Sequence, residues 1–226
     1  MTRSVKQKRG APTTARRKVA ISPDEKLMMA ALDLFANRGF SAVSIKELAR
    51  AAKVNSALIY YYYENKEGLF KATVEHAISQ ALENYARLKK RHTSPIDLIN
   101  DWFLNNLELS ASIRKLVKIM LDYANSLTRL PSVEVLIRRF YAEEASILIN
   151  SIREGSTLGL FKPVDAERVA SFVSVHLDGI MVASMIRPRF DVQNAISDLQ
   201  KFLGEYLGYD DDWGRSESKR ALQKVR

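Results

Sequence analysis

The 226-residue chain contains no cysteine. That removes disulfide frameworks, thiolate-ligated zinc or iron–sulfur centres and thiol nucleophiles, and it fits a reducing cytoplasm. Histidine is nearly absent too: His76, His92 and His176 are the only three, and they lie far apart in sequence. No His-Glu-x-x-His motif, phosphate loop or dinucleotide fingerprint is present, so neither an enzyme nor a bound metal or cofactor is expected. No apolar run approaches the ~18–20 residues of a membrane span, and the basic N-terminus lacks the apolar stretch of a secretory signal. The expectation is a cytoplasmic protein without a membrane partner. Nor does any segment alternate apolar and polar residues between turn signals, which removes β-strands.

What is present is positive charge, and its placement matters more than the net +9. Seven bases (Arg3, Lys6, Lys8, Arg9, Arg16, Arg17, Lys18) and no acid fall in residues 1–23, whereas bases and acids nearly balance afterwards. Residues 1–22 are rich in Gly, Pro, Thr and Ser and cannot bury enough surface to fold alone, so a disordered basic arm is expected. Two readings stay open for it. It is a solvated tail, or it is an electrostatic arm that lies along phosphates or in a minor groove.

Helical patterns follow the arm. Ser22-Pro23-Asp24-Glu25 is a helix start: a capping hydroxyl, proline in the first turn, then acids at the positive helix end. Leu27, Ala31, Leu34, Phe35 and Arg38 repeat at helical spacing, and Gly39 stops them. Ser44 with Glu47 three residues later forms a capping box for a second helix. Asn55 caps a third helix through about Tyr62, and Asn65 a fourth with a long apolar stripe. Further helices are expected at about 95–108, 111–127, 131–154, 164–187 and 191–207, with Pro131, Pro163 and Pro188 at boundaries and Gly155 and Gly159 marking a turn. The fold class is therefore all-α, about nine helices. Three units are expected after the arm: residues 23–67, residues 68–208, and a polar tail over 209–226 that contains Trp213.

Between Ser44 and Tyr63 the sequence has the mechanics of a helix-turn-helix. Ala49 and Ala52 let two short helices pack closely, Val54 plugs the turn, and Leu48 with Leu58 or Ile59 fills the shared core. Together with its flanks this stretch resembles the DNA-binding domain of the tetracycline-repressor (TetR) family. The resemblance runs from Leu27 to about Val74 through Ala31-Leu-Asp-Leu-Phe35, Arg38-Gly-Phe40, Ser44, Leu48-Ala49, Ala52, Val54, Leu58-Ile-Tyr60, Tyr62-Tyr63, Asn65-Lys66-Glu67 and Leu69. It implies a sequence-specific transcriptional regulator, a repressor that leaves a double-stranded DNA operator when a small-molecule effector binds.

The resemblance also implies contacts. Ser44 and Lys66 would meet phosphates, and Tyr60, Tyr61 and Tyr62 would follow the sugar–phosphate backbone. Base reading would fall to Asn55, Ser56, Ala57 and Leu58, which include no arginine or lysine for a bidentate guanine contact. Asn55 serves as a base contact or only as a cap. Lys46 and then Arg50 are the remaining guanine readers, or else a solvated face. Two positions depart from the family pattern. Lys53 stands where glycine is usual, costing about 1 kcal/mol if left-handed, and Leu58 replaces a small polar residue.

The later helices resemble the family's effector and dimerisation domain in length and order. Trp102, Phe103, Met120, Tyr123, Phe140 and His176 are the candidate pocket residues, with Leu107, Phe172, Met181 and Met185 beside them. The last two helices would form a four-helix homodimer interface through Val169, Phe172, Val173, Leu177, Ile180, Leu199, Phe202, Leu203 and Tyr206.

Overall fold

The computed structural model describes residues 22–91, 94–125 and 131–209. The basic arm and the polar tail beyond Tyr209 lie outside the described residues. Within them the chain forms nine helices and no strand: α1 (Pro23–Arg38), α2 (Ile45–Ala52), α3 (Ala57–Tyr63), α4 (Lys66–Arg91), α5 (Pro95–Glu108), α6 (Ser110–Ala124), α7 (Pro131–Thr157), α8 (Ala166–Ile186) and α9 (Val192–Leu207).

The helix starts follow from local chemistry. The Ser22 hydroxyl accepts from the Glu25 amide at 3.1 Å, while the Ser22 amide donates to the Glu25 carboxylate at 3.0 Å. Ser44 and Glu47 repeat that reciprocal pair at α2, satisfying amides that a helix end otherwise leaves bare. Asp165 and Asp191 cap α8 and α9 by accepting from Arg168 and Asn194, so those helices begin at residues 166 and 192. One expected stop is absent. Gly155 lies inside α7, because the Phe161 ring packs so closely there that a Cβ would approach it to 2.1 Å. The chain turns instead at Gly159, with φ of 71°.

Apolar burial runs without interruption from α1–α3 into the larger bundle. Leu27, Phe35, Leu48, Ile59 and Leu69 are fully buried in the N-terminal head, as are Ile99, Trp102, Phe103, Ile119, Ile147 and Leu148 in the bundle. Each buried large side chain contributes roughly 1.5–3 kcal/mol by leaving water. Helix α4 links the two parts, packing on α1 and α3 at one end and along α7 and α5. Helix α6 also touches both, against α1 on one side and α8 and α5 on the other.

Helix α8 departs from the sequence expectation. By length and composition alone it is apolar enough to cross a membrane, with a mean hydropathy of 1.7. Val169, Val173, Leu177 and Ile180 nevertheless fill the protein core, and mid-helix Asp178 accepts a hydrogen bond from Tyr141 at 2.9 Å. Its apolarity arises from facing the core on one side and an outward apolar surface on the other.

Candidate nucleic-acid interface and bundle cavity

The head is built so that α3 stands on α1 and α4. Ile59 is its buried anchor, and Tyr63 at its end donates a short hydrogen bond to Asp24 in the first turn of α1. Burial, then Asp24, push the Tyr63 hydroxyl well above its usual pKa, so it stays a donor. The turn before α3 holds Lys53 in the left-handed region (φ 57°, ψ 43°), where its amide reaches back to the α2 carbonyls. At the far side, Glu64 also has positive φ (65°) before α4 begins.

Two residues expected at phosphates are engaged within the protein. The Ser44 hydroxyl donates to Glu47 Oε2 at 2.7 Å and accepts from the Glu47 amide at 3.3 Å. Glu47 is also gripped by Arg38 at 2.7 Å. The Ser44 hydrogen bonds, then Arg38, hold its carboxyl near pKa 2, so a carboxylate occupies the N-terminus of α2. The Lys66 ammonium donates to the Phe40 and Val43 carbonyls at 3.0 and 3.1 Å and lies 4.2 Å from the centre of the Phe40 ring. It ties α4 to the loop between α1 and α2. Asn55 is likewise occupied, its Oδ1 accepting from the Ala57 amide at 2.9 Å.

Most of the remaining candidates face outward. Lys46 and Arg50, one helical turn apart, are exposed on α2, as are Ala57, Tyr60, Tyr61 and Tyr62 on α3. Tyr61 is the most open of the tyrosines at 79 % and meets Tyr62 edge-on at 5.1 Å. Ser56 makes no side-chain capping bond, and Leu58 is half-buried against the core. The result is an outward surface of two cations, a hydroxyl and three tyrosines on a braced pair of short helices. Such a surface suits a polyanion with exposed base edges.

Farther along, α5–α8 enclose a cavity of about 20 Å³, enough for one water molecule. Helix α6 supplies Ile113, Leu116, Val117 and Met120, α5 Asn106, α7 Phe140 and Glu144, and α8 Leu177, Asp178 and Met181. Glu144 is only 5 % exposed. It accepts from Ser174 at 2.8 Å and from Tyr85 at 3.4 Å. Burial, reinforced by the Asp178 charge, pushes its carboxyl up to about 7. Burial also raises Asp178.

Comparison with known proteins accounts for both halves of this architecture. Residues 27–73 match the family described as bacterial regulatory proteins, tetR family, and residues 95–208 match the C-terminal part of BetI-type transcriptional repressors. The chain belongs to the TetR family. Its members are transcriptional regulators, not enzymes, and this chain is a DNA-binding transcriptional regulator. Over 151 residues it is 26 % identical to the HTH-type transcriptional repressor KstR2 of Mycolicibacterium smegmatis, covering 66 % of this chain and 73 % of that one. A transcriptional regulator from Saccharomonospora viridis, solved in complex with choline, shares the fold with a TM-score of 0.71 at 19 % identity, over 80 % of this chain and 94 % of the other. Bacillus subtilis FadR, solved with stearoyl-CoA, does so at 0.66 and 17 % identity, over 80 % and 97 %.

Within this TetR-family chain the expected pocket residues separate. Met120 and Phe140 line the cavity. Trp102 and Phe103 do not, because they pack edge-on against each other at 5.1 Å as fully buried core. Tyr123 stacks on Phe70 at 6.2 Å, between bundle and head. His176 is exposed and lies 5.7 Å from Phe172 on the outer face of α8. Sequence reasoning missed Glu144, Asp178, Ser174, Tyr85 and Tyr141, because a polar or charged side chain within a helical stripe carries no local sign of the partner it meets across the fold.

It also missed the grip of α6 on the head. Asp122 accepts from the Phe40 amide at 2.8 Å, and Lys115 pairs with Asp33 on α1 at 2.5 Å. Gly39, with φ of 78°, lets the chain pass so near that a Cβ would approach the Asp122 carboxylate to 2.9 Å.

Proposed function

We propose that this chain is a cytoplasmic homodimeric repressor in which residues 23–67 read the operator and residues 68–208 bind the effector and the second subunit. The observation that carries the reading is the outward surface of α2 and α3, where Lys46, Arg50, Tyr60, Tyr61 and Tyr62 project from a braced helix-turn-helix, with half-buried Ser56 beside them. Tyr60–Tyr62 follow the DNA backbone, Ser56 and Ala57 approach base edges, and Lys46 and Arg50 reach phosphate or guanine. Ser44, Asn55 and Lys66 act chiefly by fixing the geometry of the head. Leu58 and Ala57 offer apolar contact to thymine methyl groups.

The dimer forms through α8 and α9. Beside their buried stripes, these helices expose Phe172, Val175, Phe202 and Tyr206, each more than half uncovered, except Phe172 at half. Phe172 and Phe202 already touch at 5.9 Å, and Phe202 and Tyr206 at 6.5 Å. A contiguous apolar patch of this kind marks an association surface, and a second copy supplies a self-complementary one.

Release follows from the two faces of α6. One face walls the α5–α8 cavity and the other holds the head through Asp122 and Lys115. A guest larger than water must move a wall, and movement of α6 reorients the head relative to its twin. That takes two recognition helices out of register with successive major grooves, about 34 Å apart. Proteins of the same fold have been solved with choline and with stearoyl-CoA, which supports a small-molecule ligand for this chain.

The test is recovery of bound fragments from source genomic DNA, followed by footprinting with the full chain. A two-fold symmetric site with half-sites one helical turn, or multiples of it, apart is expected. On that site Tyr61→Ala should weaken binding to every sequence about equally, whereas Lys46→Ala should change the preferred bases. Phe202→Lys should give a monomer by light scattering. Failure to enrich any fragment, or a dimer unaffected by Phe202→Lys, contradicts the corresponding half of the reading.

A further inference from the structure

The cavity walls indicate what kind of effector fits. Glu144 and Asp178 both line the cavity, while no lysine, arginine or histidine does among the described residues. The donors to these carboxylates are neutral hydroxyls: Ser174 and Tyr85 to Glu144, Tyr141 to Asp178. A buried carboxylate without a cation is costly, and two near each other are costlier. The rest of the wall is apolar, with Phe140 and the α6 side chains Ile113, Leu116, Val117 and Met120. Behind Phe140, the Tyr85 ring stacks on it at 6.5 Å.

We propose that the effector is a protonated alkyl- or arylamine whose N–H groups donate to Glu144 and Asp178 and whose apolar body lies against Phe140 and α6. An ammonium head is the size of the one water the cavity admits, and the apolar body takes its place only as the α6 wall moves aside. A carboxylate or phosphate head is excluded by like charge. A quaternary ammonium supplies charge but no donor, so it satisfies neither carboxylate by hydrogen bonding. The inference rests on the effector-site reading above and narrows it to a chemical class.

The same geometry fixes a pH dependence. The groups facing Glu144 are Tyr85 from α4, Asn106 from α5, Tyr141 on its own helix, and Ser174 and Asp178 from α8; α6 contributes only apolar side chains. Glu144 titrates near 7, and an ammonium ion favours its charged form. Binding therefore expels a proton below that pH, and affinity should fall by up to about tenfold per pH unit on acidification.

The experiment is calorimetric titration of the full-length protein with n-butylamine, n-hexylamine and 2-phenylethylamine, beside 1-hexanol, hexanoate and hexyltrimethylammonium. The expected result is binding of at least one primary amine, about tenfold or more tighter than its neutral, anionic and quaternary counterparts. Glu144→Gln and Asp178→Asn should each weaken that amine by about tenfold, and proton release at pH 6 should disappear in Glu144→Gln. Binding of no amine, equal binding of the alcohol or the quaternary ion, or unchanged affinity in both variants overturns the proposal. Operator release is read separately by fluorescence anisotropy. An amine that binds through Glu144 without loosening the operator leaves the ligand class standing and overturns the effector role of the cavity.

Discussion

The head and the bundle use carboxylates in opposite ways. In the head, Glu47 lies at the surface, held by the Ser44 hydroxyl and amide and by Arg38, and its pKa falls to about 2. In the bundle, Glu144 is sealed among neutral hydroxyls near a second acid, and its pKa rises to about 7. The first carboxylate fixes a helix start, while Lys46 and Arg50 stay exposed on the same helix. The second has no cation beside it among the described residues, and once ionised above its raised pKa it destabilises the fold. A helix cap at the surface and a buried acid in the bundle are thus built from the same residue type, distinguished by what surrounds it.

The sharpest way to break this contrast is Glu144→Gln. A carboxyl raised from its unfolded value of about 4.5 to about 7 binds protons more tightly in the folded state. The wild-type protein therefore loses stability as pH rises through that window, and the loss is complete above 7. Glu144→Gln should stabilise the protein by about 3 kcal/mol at pH 8 and hardly at all below pH 4. Denaturant titrations at the two pH values check this, and equal stability at both would show Glu144 to be satisfied.

Next in size is Gly39→Ala. The positive φ and the approach of Asp122 together should cost about 2 kcal/mol and loosen the head from α6. Hydrogen exchange at the Phe40 amide should quicken even under conditions where the protein stays folded. Ser44→Ala, which removes one side of the α2 capping box, should cost about 1 kcal/mol in thermal unfolding. Smallest is Lys53→Gly: relief of the left-handed strain outweighs glycine's added chain entropy by only about 0.5 kcal/mol. A rise of a few degrees or less in Tm is expected, and a fall would mean that the Lys53 side chain stabilises the turn.

The head was nearly all legible in sequence because its determinants are local. Ser22 with Glu25, Ser44 with Glu47, and Gly39 act over three or four residues. The helix-turn-helix pattern points Leu48, Ala52 and either Leu58 or Ile59 into the core, where the structure buries Ile59. Even the left-handed Lys53 follows from its place in the turn. The bundle helices were legible for the same reason, within a few residues at each end. The cavity was not. Glu144 meets Ser174 and Tyr85 across 30 and 59 residues, and nothing in a helical stripe separates an inward glutamate from a solvated one. Ser44 and Lys66 show the converse. Their residue types suit phosphate, but the fold engages them with Glu47 and with the Phe40 and Val43 carbonyls. His176, a pocket candidate that the sequence also left open as a core or interface residue, lies with Phe172 along the groove on the outer side of α8. Helix α8 is apolar on two sides, and periodicity alone does not say which faces the core.

The most direct test of the head's role is the salt dependence of operator binding by the full-length protein, wild type against a Lys46→Ala/Arg50→Ala double variant. Anisotropy titrations between about 50 and 200 mM salt should show wild-type affinity falling at least a hundredfold. The double variant should bind more weakly and with a log–log slope shallower by about two to four, up to one unit for each cation lost from the DNA-facing surface of each subunit. An affinity indifferent to salt, or an unchanged slope in the double variant, would contradict the assignment of α2 and α3 as the surface that meets DNA.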